Sequence, residues 1–216
     1  MRVIGLTGNL ACGKSTVARM FEARGAHVID ADELVRELRR PGQPVYDAIV
    51  REFGEGILQP PVVPGALPEI DARRLAEIVF ADPEKLARLE AIVHPAVTER
   101  VIELLWQHGR EWKHDVVLIE AVKLVESDLV NLVEGLIVVT CRPEQQIERV
   151  VRQRGWTEAE ARARMAAQSS PEEKLELFTR KRGMLPAALI DNSGSLDETE
   201  RQVEELWQRL VARQTA

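Results

Sequence analysis

Apolar positions along the chain follow two alternating rhythms. Short apolar runs occur at Val3 to Leu6, His27 to Ile29, Val116 to Ile119, Leu136 to Val139 and Ala187 to Ile190. They lack the period-2 alternation of a half-exposed strand, as expected of parallel strands covered on both faces. Stretches of helical spacing separate them. Val17, Ala18, Met20 and Phe21 line one face between Lys14 and Arg24, and Gly25 stops that helix. Another helix is expected from Asp32 to Arg40, ending at Pro41-Gly42.

The same logic places further helices. Pro83 suits a first helical turn behind Asp82. Val97, Val101, Leu104 and Leu105 recur as one apolar stripe. Thr157-Glu158-Ala159-Glu160 and Ser195-Leu196-Asp197-Glu198 are capping boxes, each opening a helix. Gln59 to Gly65, with Pro60, Pro61 and Pro64, cannot continue a helix and reads as a loop. The sum predicts an α/β fold: a three-layer α/β/α core around a five-stranded parallel sheet. The long helical region is an inserted subdomain over 32–110. The core is expected at 1–31, 111–141 and 169–216, with a helical lid at 142–168, all within one domain spanning 1–216.

Composition changes this picture little. The 216 residues are 45% hydrophobic and 30% charged, ordinary for a globular domain. A net charge of −6 speaks against a dedicated nucleic-acid binder, although a local arginine cluster can still attract an anion. Cys12 and Cys141 are too few for a disulfide framework and have no metal-ligand spacing, which fits reduced thiols. The apolar run at Val3 is too short for a signal peptide, and no run is long enough to span a membrane. A cytoplasmic protein, monomeric or weakly homo-oligomeric, is the expectation, with no nucleic-acid or membrane partner.

The chemistry begins at Gly8-Asn9-Leu10-Ala11-Cys12-Gly13-Lys14-Ser15, a match to the pattern G-x-x-x-x-G-K-[ST] between a predicted strand and a predicted helix. Gly8 and Gly13 allow the backbone to turn successive N–H groups inward, and with the helix N-terminus these form an anion cradle. Lys14 offers a point charge to the β- and γ-phosphates of ATP, and Ser15 offers a hydroxyl to Mg²⁺. Ala11, Cys12 and Thr16 complete the nucleotide-binding segment. The segment resembles the phosphate loop shared by many NTPases. Its bland alternative, a glycine turn beside a chance Lys-Ser, does not require the strand–loop–helix context.

In a parallel sheet the ligand crevice lies beyond the C-terminal strand ends. Asp30 and Asp32 follow the second strand, and Glu120 ends the third. Phosphoryl transfer uses one carboxylate to organise Mg²⁺ and another to take the acceptor proton. Glu120 suits the metal role, with Asp30 as the alternative. Asp32, where the inserted subdomain begins, suits the base; helix capping is the competing use for Asp30 and Asp32. Further on stand Arg142, Arg149, Arg152, Arg154, Arg162 and Arg164. Most can be solvated and balanced by Glu144, Glu148, Glu158 and Glu160. Arg149, then Arg154, is favoured as the arginine that offsets phosphoryl charge from a mobile lid.

With these residues in place the chain resembles the dephospho-CoA kinases over nearly its whole length. The resemblance rests on Gly5-Leu6-Thr7-Gly8 running into Gly13-Lys14-Ser15-Thr16, Ile29-Asp30-Ala31-Asp32, Val79-Phe80, His94-Pro95, Glu126-Ser127, Gln146 to Arg149, Gln168 and Ile190-Asp191-Asn192-Ser193-Gly194. It implies transfer of the ATP γ-phosphate to the ribose 3′-hydroxyl of dephospho-CoA, the last step of coenzyme A synthesis. It also implies Asp32 as base, Arg36, His94, Arg100 and Glu126 near the acceptor, and Asn192 near the adenine. The chain departs from the family pattern in four places. The phosphate loop has fewer glycines, Lys123 stands at a usually apolar position, and Gln153 stands where arginine is common. The proline-rich segment at 59–68 looks inserted. A nucleoside monophosphate kinase would share the loop and lid but fits these marks poorly, and a GTPase switch would need an Asn-Lys-x-Asp element that the sequence lacks.

Overall fold

A computed structural model describes residues 1–61, 65–108 and 116–212. In chain order the elements are β1 (Arg2–Gly8), α1 (Lys14–Glu22), β2 (His27–Asp30), α2 (Ala31–Leu38) and α3 (Pro44–Phe53). Next come β3 (Leu58–Gln59), β4 (Glu69–Ile70), α4 (Ala72–Phe80), α5 (Pro83–His108) and β5 (Val116–Glu120). The chain continues with β6 (Gly135–Thr140), α6 (Pro143–Arg154), α7 (Glu158–Ala166), α8 (Pro171–Arg182), β7 (Ala187–Asp191) and α9 (Leu196–Ala212).

Five strands form one parallel sheet in the order β2-β5-β1-β6-β7. The central strands are the most apolar: every residue of β5 is buried, as are Val3 to Gly8 of β1 and Gly135 to Val139 of β6. Edge strands β2 and β7 are only partly covered. The chain leaves β1 toward β2 and β5, then crosses to β6 and β7 on the other side. The end of β1 is therefore the point where strand order reverses, the usual position of a ligand crevice in open parallel sheets. One apolar core lies between the sheet and helices α1 and α9, built around Leu6, Val17, Phe21, Leu118, Val139, Ile190 and Val203. Arg24, in the turn after α1, pairs with Glu204 of α9 at 2.7 Å and with Glu200 at 3.2 Å.

The described residues divide into two compact units. Met1–Asp30 with Gln107–Ala216 contains the sheet, and Ala31–Trp106 is the second unit. The second is helical apart from the two-residue antiparallel pairing of β3 with β4, Leu58 opposite Ile70 and Gln59 opposite Glu69. Gln59, expected in the proline-rich loop, is thus a strand residue, and residues 62–64 of that loop lie outside the described residues. Tyr46 Oη donates to the carbonyl of Pro68 at 2.7 Å, holding the far side of this hairpin. Asp71 caps α4 by accepting from the N–H groups of Arg73 and Arg74. The long helix α5 carries Pro95 in its interior, where the missing N–H removes one rung of the hydrogen-bond ladder.

The two expected capping boxes are present at Thr157 and Ser195. A third, Ser170 with Glu173, opens α8, a helix absent from the reading of the sequence.

Candidate active site

The phosphate loop joins β1 to α1. Gly13 has φ 91° and ψ 27°, a left-handed conformation at the N-cap of α1 that a side chain disfavours. A Cβ there would also strike the amide nitrogen of Asn192. At Gly8 a Cβ would meet the carbonyl oxygen of Val139 on the neighbouring strand. Ala11 holds φ 54° without being glycine. Its strain is offset by packing, because Leu10 and Ala11 lie against an apolar cluster of Ile147, Val150, Ala161, Trp156 and Met165 from α6, α7 and their connection. Cys12 is fully buried in the main core. Residues 10–12 therefore point their side chains into protein, which is how the loop dispenses with glycine there.

Several groups converge on the loop. Ser15 Oγ donates to Glu120 Oε1 at 3.1 Å. Glu120 is 6% exposed and, in β5, sits in register with Asp30 of β2, so two carboxylates share adjacent strand ends. Arg149 Nη1 donates to the carbonyl of Ala11 at 3.2 Å, and Nη2 to the carbonyl of Asn192 at 3.3 Å. Asn192 is buried. Its Nδ2 donates to the carbonyl of Cys12 at 2.9 Å, while its Oδ1 accepts from Thr199 Oγ1 at 2.9 Å. Asn192 thus ties the loop to α9, one end of its amide on Cys12 and the other on Thr199, a contact that the resemblance alone did not suggest. The N–H of Leu10 donates to Gln168 Oε1 at 2.9 Å, and Lys14 Nζ lies 3.5 Å from the carbonyl of Asn9. Gly13→Ala is expected to destabilise the fold by about 1–3 kcal/mol, the scale of strain at a disfavoured backbone conformation. It should also weaken ATP binding; thermal unfolding and nucleotide titration measure the two effects.

Three of the other arginines are engaged elsewhere. Arg142 donates to the carbonyl of Ser193 at 3.0 Å, Arg162 pairs with Glu158 on its own helix, and Arg164 stacks 3.7 Å from the centre of the Trp156 ring. Arg152 is exposed on α6, and the Arg154 side chain lies outside the described residues. Of the arginines in this stretch whose side chains are described, Arg149 is the one that reaches the loop. Burial pushes both cysteine thiols up from their ordinary pKa, against the opposing pull of Lys14 on Cys12 and of Arg149 on Cys141. Protonated and enclosed, they are poor nucleophiles.

Asp32, Arg36, His94 and Arg100 belong to the second unit. Asp32 lies in the first turn of α2, two residues beyond the end of β2, with Arg36 one turn later. His94 and Arg100 lie on α5, where Arg100 pairs with Glu103 at 2.9 Å. Glu126 follows β5 and is bound at 2.8 Å by Lys174, a partner that only the unforeseen α8 could supply. Among the described residues no group of three or more His, Cys, Asp or Glu side chains could hold a metal ion, and no helix is long and apolar enough to cross a membrane.

A phosphate loop at the reversal point of a parallel sheet, braced by an arginine from a following helix, defines a P-loop kinase, an ATP-dependent phosphotransferase. The model of a family described as dephospho-CoA kinase matches residues 2–198. A dephospho-CoA kinase of Symbiobacterium thermophilum is 45% identical over 207 residues, covering 96% of this chain and 80% of that protein. One of Thermobifida fusca is 42% identical over 213 residues, covering 99% of this chain and 98% of that protein. A solved structure, TT1252 from Thermus thermophilus, superposes with a TM-score of 0.72 at 33% identity, covering 97% of each chain. The chain belongs to the dephospho-CoA kinase family.

Proposed function

We propose that the protein transfers the γ-phosphate of ATP to the ribose 3′-hydroxyl of dephospho-CoA, giving coenzyme A and ADP. Asp32 takes the proton from the hydroxyl as its oxygen attacks the γ-phosphorus. The bond from that phosphorus to the β–γ bridging oxygen breaks as the new P–O bond forms. The amides of Gly8 to Thr16 and the Lys14 ammonium hold the phosphates, and Arg149 offsets charge on the moving group. Arg36, His94, Arg100 and Glu126 bind the acceptor, and residues 142–168 act as a lid over a core made of 1–31, 111–141 and 169–216. Residues 32–110 serve as the acceptor subdomain.

Ser15 and Glu120 fit Mg²⁺. One hydroxyl beside the strand-end carboxylate of Glu120, with Asp30 on the adjacent strand, suits a cation that keeps several waters and binds substrate phosphates. When bound, it neutralises charge on the β- and γ-phosphates. A cytoplasmic location and a monomeric or weakly associated state accompany this reading, as expected for an enzyme acting on a small molecule alone.

The observation that carries the reading is the convergence of Glu120 on Ser15 Oγ at 3.1 Å and of Arg149 on the Ala11 carbonyl at 3.2 Å, both at one loop. The test is a coupled assay with ATP and dephospho-CoA, then with AMP, CMP and dTMP. Product phosphorylated at the 3′-hydroxyl is expected. Turnover of a nucleoside monophosphate without turnover of dephospho-CoA would overturn the acceptor assignment. In the same assay Arg149→Ala should lower kcat by about 10²–10³-fold, the range for loss of one charge-stabilising donor, with acceptor KM little changed. An effect confined to acceptor KM would remove Arg149 from this role.

A further inference from the structure

Helix α8 carries Lys174 into the protein interior, where it is 1% exposed. Lysine is almost never so deeply buried without partners. Its ammonium donates to Glu126 Oε1 at 2.8 Å and to the carbonyl of Val122 at 3.0 Å. The Val122 carbonyl also accepts from Thr7 Oγ1 at 3.0 Å, and Thr7 directly precedes Gly8 of the phosphate loop. One residue earlier, the N–H of Ala121 donates to the carbonyl of Leu6 at 3.1 Å. The segment from Glu120 to Glu126 is thus fixed to β1 on one side and to α8 on the other. Six residues before Lys174, Gln168 holds the N–H of Leu10. The stretch 168–174 therefore touches the phosphate loop at one end and Glu126 at the other.

Glu126 is asymmetric. Oε1 meets Lys174, while Oε2 is buried with no hydrogen-bond partner among the described residues. Only the lysine is enclosed: the Glu126 side chain is 26% exposed, so the pair is open on the glutamate's side and holds the carboxylate at the surface of the core. What the pair supplies is a carboxylate at a fixed place with one oxygen in reserve.

We propose that Lys174 is a positioning residue for phosphoryl transfer: it acts through Glu126, holding that carboxylate so that its second oxygen receives a hydroxyl of the acceptor. This rests on the reading of Glu126 as an acceptor-side residue. Lysine acts here as a point charge whose four-carbon stem is held by burial, and its second bond, to Val122, sets the distance from Glu126 to the strand that leads into the phosphate loop.

A double-mutant cycle of Lys174→Met, Glu126→Gln and the two together tests it, using whichever acceptor the wild type turns over. Turnover of dephospho-CoA by the wild type checks the acceptor assignment separately, and the ratios among the four proteins check Lys174. Each single variant is expected to lower kcat/KM for the acceptor by roughly 10- to 100-fold, the scale of a small misplacement of reacting groups. The dissociation constant for ATP should stay within about 3-fold. The double variant should be no slower than the slower single one, the non-additivity of residues acting as a unit. Losses that multiply in the double variant would overturn the proposal. So would a Lys174→Met protein with a lowered Tm but unchanged kcat/KM. If Lys174→Met does not fold, the double variant, which leaves no lone buried charge, decides the matter: a rate like that of Glu126→Gln supports the proposal, and a wild-type rate refutes it.

Discussion

Lys14→Ala is expected to lower kcat for phosphoryl transfer by about 10³-fold or more, with circular dichroism and Tm close to wild type. The magnitude follows from removing a full positive charge aimed at phosphate oxygens, where loss of even one neutral donor costs about 10²–10³-fold. The fold should survive because, among the described residues, the Lys14 ammonium makes one long contact, 3.5 Å to the Asn9 carbonyl, so its removal strands no buried partner there. The backbone cradle is made by main-chain amides and by the start of α1, which alanine supports well. ATP should still bind, more weakly. A coupled assay beside isothermal titration separates lost chemistry from lost affinity. Near-normal turnover would show that the loop does not hold the transferring phosphate.

Asp32→Asn should produce the second large effect, a loss of about 10²–10⁴-fold in kcat, the usual contribution of a general base. Asparagine preserves shape and hydrogen bonding but cannot take a proton at neutral pH. ATP affinity should change little, since in the proposed mechanism the loop amides and Lys14 hold the phosphates and Asp32 takes only the acceptor's proton. Dephospho-CoA affinity should change little. A rate near wild type would transfer the base role elsewhere, with Asp30 next in line by its place beside Glu120.

The strands and the phosphate loop were legible in the sequence for a physical reason. Four-residue apolar runs between helical stretches leave few choices other than a covered parallel sheet, and Gly8, Gly13, Lys14 and Ser15 match a backbone geometry with few sequence solutions. Glu120 and Ser15 were each read as metal-side residues from their places at a strand end and a helix start; their direct hydrogen bond needs coordinates. Three things were not. Helix α8 escaped because only Leu175, Leu177 and Phe178 are apolar among its charged residues, so no stripe marks it, although Ser170 and Glu173 are an overlooked capping box. The partnership of Lys174 with Glu126 spans 48 residues, and no local pattern announces a buried lysine. Asn192 was placed by resemblance; its contact with Cys12, 180 residues away in sequence, needs coordinates. The choice among the arginines was likewise a matter of reach: of those whose side chains are described, Arg149 is the one at the Ala11 carbonyl.

The apolar tip of the phosphate loop has a kinetic consequence. Leu10 and Ala11 sit among Ile147, Val150, Trp156 and Met165, so neighbouring helices supply the stiffness that the loop would otherwise have to find on meeting a nucleotide. A loop built from glycine samples many shapes and surrenders them when the triphosphate arrives; this one has already given most of them up. Its advantage should appear as residence time, with ADP leaving slowly, because preorganised sites differ chiefly in how long they retain what they hold. Nucleotide release then becomes a contender for the step that sets the turnover rate.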